Sequence, residues 1–210
     1  LSNGERDNYP ILHTDKILSR YDRDSRISSF LDQVLSFNKK VNIVSRETSP
    51  DGLARIAAES LAPLELGIDI KGKIFDIGSG GGFPAIVLML ARPEIEAVLI
   101  ERTGKKARFL EAVIDRFNLK ASVYNKDLFE IAPHLERNSF NFGLMKYVRM
   151  QKKILRLALP LLNPDGKYLY YSRMITDDKY GINRFQAVEV CYYLDDTKQV
   201  RTINMISKLN

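Results

Sequence analysis

The sequence predicts an α/β fold: a parallel sheet with helices on both faces, preceded by a helical N-terminal region and closed by an antiparallel hairpin. Three observations carry that expectation. Short apolar runs alternate with segments of helical periodicity from residue 73 to residue 172, and such alternation builds a parallel sheet covered on both sides. Within it, Ile74 to Ile77 runs straight into a glycine turn and then a compact apolar helix. Near the end of the chain, Val188 to Leu194 and Val200 to Ser207 read as two strands joined near Asp195 and Asp196. Residues 1–70 then form the helical region, expected on the substrate side, and residues 71–210 the sheet domain.

Residues 1 to about 24 are polar and charged, and most of them are expected to be loosely ordered. Ile27, Phe30, Leu31, Val34 and Leu35 recur at helical spacing. Residues 38–45 form a connector in which Val41, Ile43 and Val44 face inward. Ser49, Pro50 and Asp51 make a helix start, followed by a stripe of Leu53, Ile56, Ala57, Leu61 and Leu64. After the first strand, Ala85 to Ala91 is a helix, and Pro84 suits its first turn, where no amide donor is needed. Ala97 to Glu101 is the second strand, and Lys105 to Phe117 a helix with Ala107, Leu110, Val113, Ile114 and Phe117 inward. Ser122 to Asn125 and Phe140 to Met145 are the third and fourth strands. Ile154, Leu155, Ala158, Leu159 and Leu162 face inward on the next helix, and Asn163-Pro164-Asp165-Gly166 is a turn. Tyr168 to Ser172 is the fifth strand, and Met174 to Phe185 is short and irregular.

The 210 residues are 45% hydrophobic, enough for one domain with an appendage. Lys and Arg number 32 against 26 Asp and Glu, and the net charge of +6 favours an acidic partner, nucleic acid first. Cys191 is the single cysteine, which excludes a disulfide framework and a cysteine-built metal site. His13 and His134 stand in unrelated contexts, so no metal is expected. No apolar run approaches the ~18 residues of a membrane span, and residues 1–9 do not resemble a signal peptide. A soluble, cytoplasmic protein is expected.

Ligands of such sheets bind at the carboxyl ends of the strands. Asp76, Glu101, Asp127 and the residues after Met145 all fall there. Glycines let a turn be sharp and let a ligand approach bare amides, while the following helix offers its positive end. Two registers fit Gly78-Ser79-Gly80-Gly81-Gly82-Phe83-Pro84. Counted from Gly80, G-x-G-x-x-A ends at Ala85 and would suit a dinucleotide, hence a nicotinamide oxidoreductase. Counted from Asp76, Asp-x-Gly78-x-Gly80 resembles motif I of S-adenosylmethionine-dependent methyltransferases. A carboxylate just before the turn repels a diphosphate but suits a ligand carrying an ammonium group. Glu101 can accept ribose hydroxyls from either ligand and does not separate them.

Several stretches together resemble the glucose-inhibited division protein B family (GidB, or RsmG), the 16S ribosomal RNA guanine-N7 methyltransferases. They are Asn38-Lys-Lys-Val-Asn-Ile43, Glu59-Ser-Leu-Ala-Pro-Leu64, Asp76 to Pro84, Gly104-Lys-Lys-Ala-Arg-Phe-Leu110 and Leu157-Ala-Leu-Pro-Leu-Leu162. The resemblance implies a Rossmann-like class I methyltransferase sheet over residues 71–210, S-adenosylmethionine as methyl donor and ribosomal RNA or the small ribosomal subunit as partner. The sequence departs from the family pattern in four places. The family's His-x-x-Asp-Ser reads Ile56, Glu59 and Ser60, and its Ser-Arg-Ala reads Met145-Lys146-Tyr147. An Asp of the fourth strand is Asn141, and a Gly after the Pro is Ala85.

By the same resemblance, Asp76, Gly78, Ser79, Gly80 and Phe83 cradle the methionine part of the cofactor, and Glu101 holds the ribose. Asp127, Leu128 and Phe129 border the adenine, and Lys146 stands beside both cofactor and guanine as the catalytic candidate. Lys105, Lys106, Arg108, Arg149, Lys152 and Lys153 are the expected RNA-binding rim. Guanine N7 carries a lone pair and no proton, so its methylation needs alignment rather than a general base. The alternative is a non-catalytic relative that binds S-adenosylmethionine or RNA with a decayed substrate site.

Overall fold

The computed structural model describes residues 8–174, 185–195, 197 and 199–209. The elements are β1 (Ile11–Leu12), α1 (Thr14–Tyr21), α2 (Arg26–Asn38), α3 (Pro50–Glu65), β2 (Lys73–Ile77), α4 (Ala85–Ala91), β3 (Glu96–Ile100) and α5 (Gly104–Phe117). There follow β4 (Ala121–Tyr124), α6 (Leu128–Ile131), β5 (Phe140–Met145), α7 (Lys152–Ala158), β6 (Leu162–Tyr170), β7 (Phe185–Leu194) and β8 (Val200–Lys208). The strands form one sheet in the order β1-β7-β8-β6-β5-β2-β3-β4. Only β8 runs antiparallel to its neighbours, β6 and β7.

The central strands are apolar on both faces, as a sheet covered on both sides requires. Ile74, Leu99 and Leu144 point into one core with Phe30, Leu53, Ile86 and Phe109 of the helices. Phe75, Val98, Ile100 and Met145 point into the other, against Leu128, Ile154 and Leu155. Strand order reverses between β2 and β5, and the crevice outside such a reversal is where ligands bind. The helical N-terminal piece packs on the first of these faces. In α2, Ile27, Phe30 and Val34 are buried at helical spacing. In α3, Pro50 occupies the first turn and the Ser49 hydroxyl accepts from the Gly52 amide at 3.1 Å, as the start signal predicts.

Two expectations are corrected. Residues 11–21, read as loose chain, hold β1 and α1. Ile11 and Leu12 pair with Tyr193 and Leu194 of β7, and Ile17 is fully buried. The partner of β1 is the far end of the chain, so no local pattern announces it. The fifth strand begins at Leu162 rather than Tyr168 and ends at Tyr170. Its register jumps from Phe140–Leu162 to Phe142–Lys167, so the turn residues Asn163 to Gly166 bulge out of one continuous strand. Most of the stretch 174–185, and Asp196, lie outside the described residues.

Candidate functional site

The tips of β2, β3, β4 and β5 open on one chamber of about 1110 Å³. Its floor is the glycine turn. Gly78 has φ +72°, and a side chain there would stand 2.5 Å from Val148 Cγ2. The turn is tied to the next strand: the Gly78 amide donates to the Ile100 carbonyl at 2.8 Å. Glu101, 6% exposed, fastens it again. Its Oε2 accepts from the Gly80 amide at 2.9 Å and its Oε1 from the Thr103 amide at 2.7 Å. Each carboxylate oxygen keeps a second lone pair, so two hydroxyls of a ribose still find acceptors. The Asn125 side chain donates through Nδ2 to the Glu101 main-chain carbonyl at 2.9 Å and brings the end of β4 into the same framework.

Asp76 lies beneath the turn, fully buried, and neither of its carboxylate oxygens has a hydrogen-bond partner. Burial pushes its carboxyl up to about 8. The nearby Ser79 hydroxyl pulls it back, Glu101 pushes it further up, and the Ala85 amide pulls it back again, the two donors standing close by but outside hydrogen-bonding geometry. The Ser79 hydroxyl itself donates to the Asp76 main-chain carbonyl at 3.1 Å. Asp76 does not itself border the chamber; it sets a buried acid directly under the glycine cradle, which favours a ligand with an ammonium group and opposes a diphosphate. The residues present therefore fit S-adenosylmethionine better than a dinucleotide.

Asp127 caps α6, accepting from the Phe129 amide at 3.0 Å in a reciprocal box with Glu130. Leu128 is buried and Phe129 is 40% exposed, with the Lys153 ammonium 4.3 Å from its ring centre. Ser79, Gly80, Phe83, Asp127, Leu128 and Phe129 all border the chamber. Lys146 does too, but it is not a solvated lysine. It is 4% exposed and its ammonium meets Glu59 Oε2 at 2.5 Å. Burial pulls that ammonium below the usual lysine range, Glu59 opposes the shift and Arg201 adds to it. The Tyr147 hydroxyl also donates to Glu59 Oε2, at 3.3 Å. The Arg201 guanidinium lies 3.2 Å from Oε1, angled so that its Nε makes no hydrogen bond. Two departures from the family pattern are thus partners: the acid of α3 and the base after β5 have both changed. Ile56 borders the chamber, and the Asn141 side chain accepts from the Lys73 amide at 2.9 Å.

Of the expected RNA rim, Lys106, Arg149 and Lys153 border the chamber, whereas Lys105, Arg108 and Lys152 do not. Sequence reasoning missed Arg102 and Lys126, which also border it, and missed the segment Asn42 to Ser45. The Asn38 side chain shapes that segment, accepting from the amides of Ile43 and Val44 at 2.9 and 3.1 Å. Among the described residues no cluster of His, Cys, Asp and Glu is arranged to hold a metal ion. No described helix is long and apolar enough to cross a membrane.

The strand order, the closing antiparallel strand and the glycine turn with acids at successive tips define a class I S-adenosylmethionine-dependent methyltransferase fold. Solved structures agree at the level of the fold. The tRNA methyltransferase TrmI from Aquifex aeolicus superposes with a TM-score of 0.56 at 12% identity, over 86% of this chain and 76% of that one. Cofactor-bound Rv0187 from MTB gives 0.60 at 14% identity, over 88% and 89%. A profile of the family described as rRNA small subunit methyltransferase G matches residues 23–188, and the chain belongs to that family. Ribosomal RNA small subunit methyltransferase G of Syntrophomonas wolfei is 37% identical over 69% of this chain and 68% of its own length. That of Desulfitobacterium hafniense is 32% identical over 70% and 62%, and that of Helicobacter hepaticus 31% over 68% and 76%. The chain spans about two thirds of the length of these relatives.

Proposed function

We propose that this protein methylates N7 of a guanine in 16S ribosomal RNA, acting in the cytoplasm on the small ribosomal subunit or its RNA. The observation that carries the reading is the convergence of Gly78 to Gly80, Glu101, Asp127 and Lys146 on one chamber, in a chain of this family. S-adenosylmethionine supplies, when bound, a methyl group on a positively charged sulfur. Gly78, Ser79, Gly80 and Phe83 hold its methionine end over Asp76, Glu101 its ribose, and Asp127, Leu128 and Phe129 its adenine. Residues 1–70 take the substrate side.

Guanine N7 presents a free lone pair, so the chain has only to align it and keep the pocket dry; alignment of this kind is worth ~7–11 kcal/mol of barrier. Lys146 stands at the chamber wall where the base must arrive, held by Glu59. In an A-form duplex the edge that bears N7 is deep and narrow, so the base is unpaired or flipped out. The test is transfer of labelled methyl to small ribosomal subunits from cells lacking the protein. Labelled RNA that is cleaved after borohydride and aniline treatment identifies 7-methylguanine. Label that resists cleavage overturns the assignment to N7, and cofactor binding without transfer supports the non-catalytic alternative.

A further inference from the structure

A second cavity, about 810 Å³, lies behind the first, between the β5 exit and the β6–β8–β7 end of the sheet. Its size is that of small-ligand sites, about 300–1,000 Å³. The two cavities share one wall, residues Lys146 to Arg149. The cofactor reading uses none of the second cavity's other residues. Its lining is distinctive: Tyr147, Tyr170, Tyr171 and Tyr192 supply aromatic surface, and Arg149, Arg173 and Arg201 join Lys146 against only Glu59 and Glu189. Aromatic faces with an excess of cations are the chemistry that binds an unpaired nucleotide.

The shared wall is built unusually. Tyr147 has φ +59°, in the left-handed region that residues other than glycine adopt uncommonly. That backbone holds its ring 70% exposed, while its neighbour Lys146 is buried. The Lys146 ammonium lies 4.7 Å from the Tyr147 ring centre and 5.5 Å from that of Tyr171. A large aromatic ring is thus fixed in the open directly beside the one buried cation common to both cavities.

We propose that the nucleotide to be methylated docks as a flipped-out purine in this second cavity, stacked on Tyr147, with a flanking phosphate at Arg173. The Hoogsteen edge then faces Lys146 and the cofactor chamber, along the border that Lys146 to Arg149 form for both cavities, so that N7 can reach the methyl group there. The inference rests on the proposed methylation of ribosomal RNA and deepens it, because it says which side of Lys146 receives the base.

Two measurements test it. A short RNA bearing 6-thioguanosine, cross-linked by near-ultraviolet light, is expected to mark the peptide that carries Tyr147. In kinetics, Tyr147→Ala is expected to raise KM for ribosomal RNA by about tenfold or more, since a base–aromatic stack is lost, and to raise it more than KM for the cofactor. Tyr147→Phe, which keeps the ring, is expected to retain the original KM. Both variants remove the Tyr147 hydroxyl from Glu59, so the difference between them reports the ring alone. Cross-links confined to residues 42–48, or an alanine variant with unchanged KM, overturn the inference and leave the proposed function standing. If the unaltered protein transfers no methyl group to ribosomal RNA, the proposed function falls and the inference falls with it.

Discussion

Two buried acids decide most of what happens at single positions, and they do so in opposite ways. Asp76 has no partner, and its carboxyl rises from 3.8 to about 8 on folding. Between those values the unfolded chain has lost the proton and the folded chain keeps it. Stability of the unliganded protein therefore falls as pH rises through that window, by at most about 1.4 kcal/mol per pH unit, and levels off above it. Asp76→Asn removes the titrating group. Its melting temperature is expected to depend less on pH between about 6 and 8 than that of the unaltered protein; parallel slopes in calorimetry would show that Asp76 does not titrate there. A cationic cofactor needs the ionised form, so its affinity is expected to climb over the same window and to lose that dependence in the variant. Glu59, by contrast, is fully engaged by Lys146, Tyr147 and Arg201. Removing Lys146 leaves the buried carboxylate with only Tyr147 and Arg201, which costs at most ~3–5 kcal/mol, or up to roughly 10 °C of melting temperature at this chain length. Lys146→Ala thus lowers stability and transfer together. The paired exchange Glu59→Asp with Lys146→Arg restores the family's acid and base; it is expected to recover more stability than either single change. An additive double-mutant cycle in urea denaturation would show that the two side chains are uncoupled.

At the scale of elements, what was legible in the sequence was whatever local pattern determines. Pro84 with the apolar run Ala85 to Ala91 gave α4 to the residue, and Ser49-Pro50 gave the start of α3. Asp76, Glu101 and Asp127 were placed at strand tips by alternation alone, and the fold brings the tips together. Illegible were features made by distant partners. β1 exists because β7 offers an edge, and α1 because the hairpin supplies its cap. The Thr14 amide and hydroxyl each donate at 2.8 Å to Asp195, at the end of β7, while His13 at the capping position makes no side-chain bond. The pairing of Glu59 with Lys146 joins residues 87 apart in the chain, so each looked like an isolated departure. The tyrosine-lined cavity draws on six separate segments, and no spacing rule connects them. Asp195→Ala is expected to cost about 1–2 kcal/mol, the usual value of a lost helix cap together with a hydroxyl bond. Hydrogen exchange should show α1 and the β1–β7 pairing opening first; unchanged protection there would mean that the cap does not hold the N-terminal segment.

For the molecule as a whole, the question is whether the +6 net charge is spread evenly or collected where RNA would lie. The fold collects part of it. Arg102, Lys106, Lys126, Arg149 and Lys153 come from three loops and two helices and ring the cofactor chamber. Arg149 also borders the second cavity, where Arg173 continues the basic surface toward β6. Lys105, Arg108 and Lys152 stand outside both cavities, so the expected rim divides into an inner and an outer set. Cations that contact phosphates release counterions, and each such contact adds about one unit to the slope of log affinity against log salt. The inner set is the better placed to do so. Replacing Arg149 and Lys153 by Gln is expected to flatten the salt dependence of ribosomal RNA binding by roughly two units. Replacing Lys105 and Arg108 is expected to change the slope by less. Filter binding of ribosomal RNA across a salt series reads both directly. If the Arg149 and Lys153 pair leaves the slope intact, these charges solvate the mouth of the site rather than grip RNA. If the outer pair flattens it more, RNA lies along α5 instead of across the chamber.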